Sequence, residues 1–239
     1  MFRDNNENSP ISPKGILFDM DGVLLDSMRW HVRAWQDAFE EMGFPSFEED
    51  LFYRHEGAVE PENAVEIFRC EGVKMTSSLF STVFRRQKEI FKACYSHEVR
   101  PYTEVPSLLE MLAEKGWQMG VVTSTHRDLL SEICPEGVLD FMSVVVTGDE
   151  VSRRKPFPDP YLKGIAGLGI QNRDAIVVEN APAGIKAAKN ARAVCLALAT
   201  TLEPEFLEGA DMVLADHHAL GEKLQSWGLE EADDLLTGA

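Results

Sequence analysis

The sequence predicts an α/β protein, a parallel sheet whose first strand is separated from the others by a helical insertion. Three observations carry this. A short apolar run, Ile16-Leu17-Phe18, leads directly into Asp19, Asp21 and Gly22. Residues 28–97 read as helices, with no convincing strand among them. From residue 105 onward, apolar runs of strand length alternate with amphipathic helical text, a rhythm that implies right-handed crossovers and a parallel sheet.

Taken in order, residues 1–13 are polar and are expected to be a loose tail. The run 15–18 is apolar throughout, as in a strand buried on both faces. Residues 28–42 carry apolar side chains at helical spacing, and Gly43 is a C-terminal stop. Further helices are expected over 61–71 and 77–95, and Arg100-Pro101-Tyr102 marks a linker back to the sheet. A helix over 105–115 ends at Gly116. Strands follow at 117–123, 143–147, 175–179, 194–199 and 212–214, with helices at 127–133, 161–168, 183–190 and 220–227. The acidic end, 231–239, is expected to fray. The core is therefore 14–27 plus 99–230, and the inserted helical unit is 28–98.

Composition narrows the function. With 40 Asp and Glu against 23 Lys and Arg, the net charge is −17, the wrong sign for a nucleic-acid binder. No stretch approaches the length of a membrane span, and no basic-then-apolar leader opens the chain. Cys70, Cys94, Cys134 and Cys195 are widely spaced and suggest neither a zinc site nor a disulfide framework. A reduced, cytoplasmic setting is expected, and the chain is expected to act as a monomer.

Asp19 and Asp21 are two apart on a strand, so they point the same way at its C-terminal end, where open α/β sheets bind ligands. Two adjacent carboxylates repel each other unless a cation lies between them, and Mg²⁺ is the usual hard cation for oxygen donors. Downstream, Thr123-Ser124-Thr125 closes an apolar strand with hydroxyls that can bind phosphate oxygens. Lys155 stands before Pro156, in a backbone held extended. Glu179 and Asn180 close the strand 175–179.

Together FDMDGVLLDS, TST, K-P-F-P-D and E-N-A-P-A-G resemble, in order, the four motifs of the haloacid dehalogenase superfamily, in its branch of β-phosphoglucomutases and small phosphatases. The resemblance implies a Rossmann-like core with a helical cap inserted after the first strand. It makes Asp19 the nucleophile, Asp21 the acid and base, Thr123 and the Ser124 amide phosphate contacts, and Lys155 the charge partner. It assigns Mg²⁺ to Asp19, Asp21, Glu179 and Asn180, although Asn180 stands where Asp is usual. His31 and Trp35 fall in the H-x-R-A-W run of the mutases, and His126 and Arg127 fall where the mutase contacts substrate phosphates. Asp26-Ser27 and Arg100-Pro101 are hinge candidates. Glu60 aligns with the mutase arginine that holds a second phosphate, and a carboxylate there would repel it. The expected activity is therefore a Mg²⁺-dependent phosphatase acting on a small phosphorylated metabolite. A β-phosphoglucomutase and a catalytically weak phospho-ligand binding protein are the alternatives.

Overall fold

The computed structural model describes residues 3–4, 7–10, 13–55, 65, 67–69 and 72–236. Within the segment expected to be loose, β1 (Arg3–Asp4) and β2 (Glu7–Pro10) pair antiparallel. The core is one sheet of six parallel strands: β3 (Gly15–Phe18), β4 (Gln118–Val122), β5 (Val144–Val146), β6 (Ala175–Glu179), β7 (Val194–Leu198) and β8 (Met212–Leu214). Their order is β5-β4-β3-β6-β7-β8. In register, Phe18 lies between Val121 and Val178. The residues that follow these positions, Asp19 and Glu179 among them, therefore emerge side by side at one end of the sheet.

Alternation along each strand builds two apolar layers. Ile16, Phe18, Val121, Ile176 and Val178 face one side, where α4 (Val105–Glu114) contributes Leu109 and Leu112, and α8 (His217–Leu236) contributes Leu220 and Leu224. Leu17, Val122 and Val177 face the other, against Tyr161 and Ile165 of α6 (Asp159–Leu168) and Ala187 and Ala188 of α7 (Pro182–Asn190). Helix α8 starts earlier and continues further than the sequence pattern suggested, to Leu236. The helix expected over 127–133 is α5 (Arg127–Ile133).

The insertion is helical, as expected: α1 (Met28–Glu41), α2 (Glu49–Arg54) and α3 (Ser77–Ile90), which continues as a π-helical turn, Phe91–Tyr95. Helix α2 had no clear sequence signal, because its six residues are too few to show a period and none of them is buried. Of the helix expected at 61–71, residues 65 and 67–69 are helical and the remainder lies outside the described residues, as does Glu60. The cap is built on rings. Trp35 stacks on Phe80 and Phe84 at 5.7 and 5.6 Å, and Phe39 meets Phe47 and Phe68 at 4.8 and 5.1 Å. The two chain crossings between cap and core run together: the Asp26 amide donates to the Arg100 carbonyl, and Leu25 bridges Pro101.

Phe39 is almost fully buried, with ring neighbours on several sides. Phe39→Ala should lower stability by about 3–5 kcal/mol through loss of burial and the cavity left behind. Urea unfolding measures this, and a loss under about 1 kcal/mol would mean that the ring cluster does not hold the cap together.

Candidate active site

The ends of β3 and β6 and the loop after β5 bring three buried charges together. Lys155 Nζ donates to Asp19 Oδ1 at 2.5 Å and to Glu179 Oε1 at 2.6 Å. Only 4% of Lys155 is exposed, and Glu179 is fully buried. Glu179 is held on both oxygens. Oε1 also accepts from the Tyr161 hydroxyl at 2.6 Å, and Oε2 accepts from the amides of Asn180 and Ala181. Gly184, on the first turns of α7, makes room for this carboxylate, since a Cβ there would lie 1.7 Å from Oε1. Glu179, expected to be the acidic metal ligand, is thus fully occupied by protein donors as the partner of Lys155.

Charge at this end is out of balance. Asp19, Asp21 and Glu179 face one buried lysine. Burial pushes the Asp19 carboxyl up, Lys155 pulls it back, and Glu179 and Asp21 raise it again, to about 7. Burial also works against the charge on Lys155, but Asp19 and Glu179 outweigh it and hold the ammonium above its ordinary range. The donor chemistry fits a hard cation beside Asp19, because a second positive charge would offset the excess carboxylate.

Asp21 is held from three directions. Its Oδ1 accepts from the Ser27 hydroxyl at 2.5 Å and lies 3.5 Å from His31 Nε2. Its Oδ2 accepts from the Thr125 hydroxyl at 3.1 Å. Burial alone would raise Asp21, but the His31 ring beside it and the hydrogen bonds from Ser27 and Thr125 outweigh it and lower the carboxyl below its ordinary value. Ser27 occupies the N-cap position of α1 yet makes no cap hydrogen bond, which ordinarily contributes roughly 0.5–2 kcal/mol. Its hydroxyl is given to Asp21 instead. His31 is fixed by stacking on Phe91 at 3.8 Å and by Gln87, 3.4 Å from Nδ1. The catalytic-acid candidate is therefore positioned from the start of α1, by Ser27 and His31, and from the core, by Thr125.

Gly22 has φ +82°, and a Cβ there would lie 2.1 Å from Asn180 Nδ2. Asn180 is thereby packed against the backbone just after Asp21, with Nδ2 donating to Thr201 Oγ1 at 3.0 Å. Thr123 is buried, and its hydroxyl oxygen accepts from the Thr125 amide. A cavity of about 280 Å³ opens between core and cap, with Asp19, Asp21 and Lys155 on its floor. Ser124, His126, His31 and Trp35 all line it, as the sequence suggested. Arg127 does not: its guanidinium turns to Glu150 at 2.6 Å and to the Val145 carbonyl, so the expected substrate contact is a surface ion pair. Sequence reading missed Ser27, Thr125 and Tyr161 as partners of the acids. The hydroxyl run 123–125 was a signal for Thr125, whereas Tyr161 had none.

The profile of the haloacid dehalogenase-like hydrolase family matches residues 16–198. Validoxylamine A 7'-phosphate phosphatase of Streptomyces hygroscopicus subsp. limoneus is 32% identical over 216 residues, 85% of this chain and 93% of that protein. Phosphoglycolate phosphatase of Aquifex aeolicus is 28% identical, covering 74% of this chain and 80% of its own. A solved structure from Bacteroides vulgatus, provisionally described as a β-phosphoglucomutase, superposes with a TM-score of 0.76 at 28% identity, over 91% of this chain and 89% of that one. With its four motifs gathered at one end of the sheet and the family profile spanning most of its length, the chain belongs to the haloacid dehalogenase-like hydrolases.

Proposed function

We propose that this enzyme is a Mg²⁺-dependent phosphatase that hydrolyses a small phosphorylated metabolite through an aspartyl-phosphate. The observation that carries the reading is the convergence of Asp19, Asp21 and Lys155 on the floor of one cavity. The Asp19 carboxylate attacks phosphorus, the bond to the leaving oxygen breaks, and Asp21 gives that oxygen its proton. Asp21 then takes a proton from the water that attacks the aspartyl-phosphate, releasing inorganic phosphate and regenerating Asp19. The hydrogen bonds that hold Asp21 ionised at rest suit it to the second step, and an incoming phosphate dianion raises its proton affinity for the first. Thr123, the Ser124 amide and Lys155 hold the phosphoryl oxygens.

Asp19, the Asp21 carbonyl and the Asn180 side-chain oxygen are the donors we assign to Mg²⁺, with Glu179 supplying charge through Lys155. When bound, the cation neutralises phosphoryl charge and keeps Asp19 ionised. A phosphatase is favoured over a mutase by Glu60, a carboxylate where the resemblance expects a phosphate-binding arginine. On this reading the chain works as a monomer in the cytoplasm.

Phosphate release from p-nitrophenyl phosphate should require added Mg²⁺ and fall roughly a thousandfold or more in Asp19→Asn, with the circular-dichroism melt retained. Turnover within a few-fold of wild type in that variant would remove Asp19 from the nucleophile's place. Asn180→Asp tests the metal. The Thr201 hydroxyl can donate as readily as accept, so an aspartate is accommodated. The added charge should lower the Mg²⁺ concentration for half-maximal activity by about tenfold. An unchanged requirement would place Asn180 outside the metal site.

A further inference from the structure

The cations around the cavity are not all matched. Lys155 is held by Asp19 and Glu179, Lys92 by Glu132 at 2.6 Å, and Arg127 by Glu150. Two others line the cavity half-buried with no carboxylate at ion-pair distance among the described residues: Lys88 on α3 of the cap, and Arg154 in the loop just before Lys155. Lys88 Nζ lies over the Phe84 ring, 4.4 Å from its centroid. Arg154 Nη2 meets His126 Nε2 at 2.8 Å, and His126 also lines the cavity.

These groups disfavour one another's charge. Burial first, and then Arg154, pull the Lys88 ammonium below its ordinary range. Burial, Lys88 and Arg154 do the same to His126. Asp128, exposed at the cavity rim, offsets this only in part for both, as does Asp149 for His126. Asp19, Asp21, Glu179 and Asp128 line the same cavity, but no described carboxylate lies at ion-pair distance from Lys88 or Arg154, an unfavourable arrangement that an anion bound between the two cations would relieve.

We propose that Lys88 and Arg154, with His126 beside them, form a second anion subsite that holds a carboxylate or phosphate at the end of the substrate remote from the transferred phosphoryl group. The fold places it next to the phosphoryl site. Arg154 directly precedes Lys155, and His126 follows the hydroxyl run 123–125. Lys88 comes from the cap, so a doubly anionic ligand joins cap to core. Of the positions that the family resemblance set against substrate phosphates, the subsite keeps His126 and uses neither Glu60 nor Arg127; Lys88 and Arg154 are its own.

The proposal rests on the phosphatase reading for which end of the substrate reacts, so its test uses binding and not turnover. Calorimetry on the full chain carrying Asp19→Asn would compare two matched pairs: 6-phosphogluconate with glucitol 6-phosphate, and fructose 1,6-bisphosphate with fructose 6-phosphate. The doubly anionic member of at least one pair should bind about tenfold tighter or more, which is about 1.4 kcal/mol. The preferred pair tells carboxylate from phosphate. Adding Lys88→Gln or Arg154→Gln should bring that ratio close to one, and Lys88→Arg should retain it. Equal affinities within both pairs, or a preference unchanged by both glutamine variants, would overturn the subsite. Failure of p-nitrophenyl phosphate hydrolysis would count against the phosphatase reading alone.

Discussion

The ammonium of Lys155 between Asp19 and Glu179 is the interaction on which the active end of this protein depends. Removing both carboxylates would leave this buried lysine with an uncompensated charge, at a cost of roughly 3–5 kcal/mol, whereas either one alone still pairs it. The surrounding sequence secures both partners. Glu179 is held by Tyr161, two helix-start amides and the space left by Gly184. Asp19 is fixed by its place at the end of a fully buried strand, its amide donating to the Val178 carbonyl. The arrangement keeps a positive charge at the lining of the cavity in a protein that is otherwise strongly negative.

The second constraint is the joint between cap and core. Asp21 touches Ser27 at the start of the first cap helix, His31 one turn further on, and Thr125 from the core. A cap displaced from the core would carry His31 away from Asp21 and change the proton affinity of that carboxyl. Asp21 thus joins the two sides of the cavity, through the hydroxyls of Ser27 and Thr125 and the neighbouring His31 ring. Trp35 stacks on Phe80 and Phe84, and Lys88 lies over the Phe84 ring, so one aromatic stack carries Lys88 to the cavity that His31 also lines.

The residues that sequence reading placed well are those whose signal is local. Strands 175–179 and 212–214 and helix 127–133 lie where the pattern put them, since apolar runs bounded by turn residues have few alternative readings. Arg127 shows the limit. Its neighbours pointed to a phosphate contact, but a long side chain chooses among partners that folding supplies, and Glu150 was nearer.

By itself the sequence determined the α/β core, the helical insertion and the acids at the end of the first strand. Each of these follows from periodicity, from turn residues and from motifs contiguous in the chain. Only the tertiary structure decided what each acid touches. Glu179 turned inward to Lys155 and Tyr161, Ser27 gave up its cap for Asp21, and Lys88 and Arg154 came to line one cavity. Apart from Ser27 and Asp21, six positions from each other, those outcomes join residues far apart in the chain. Burial and the direction of a side chain out of its strand, helix or loop set them, and no local pattern records either.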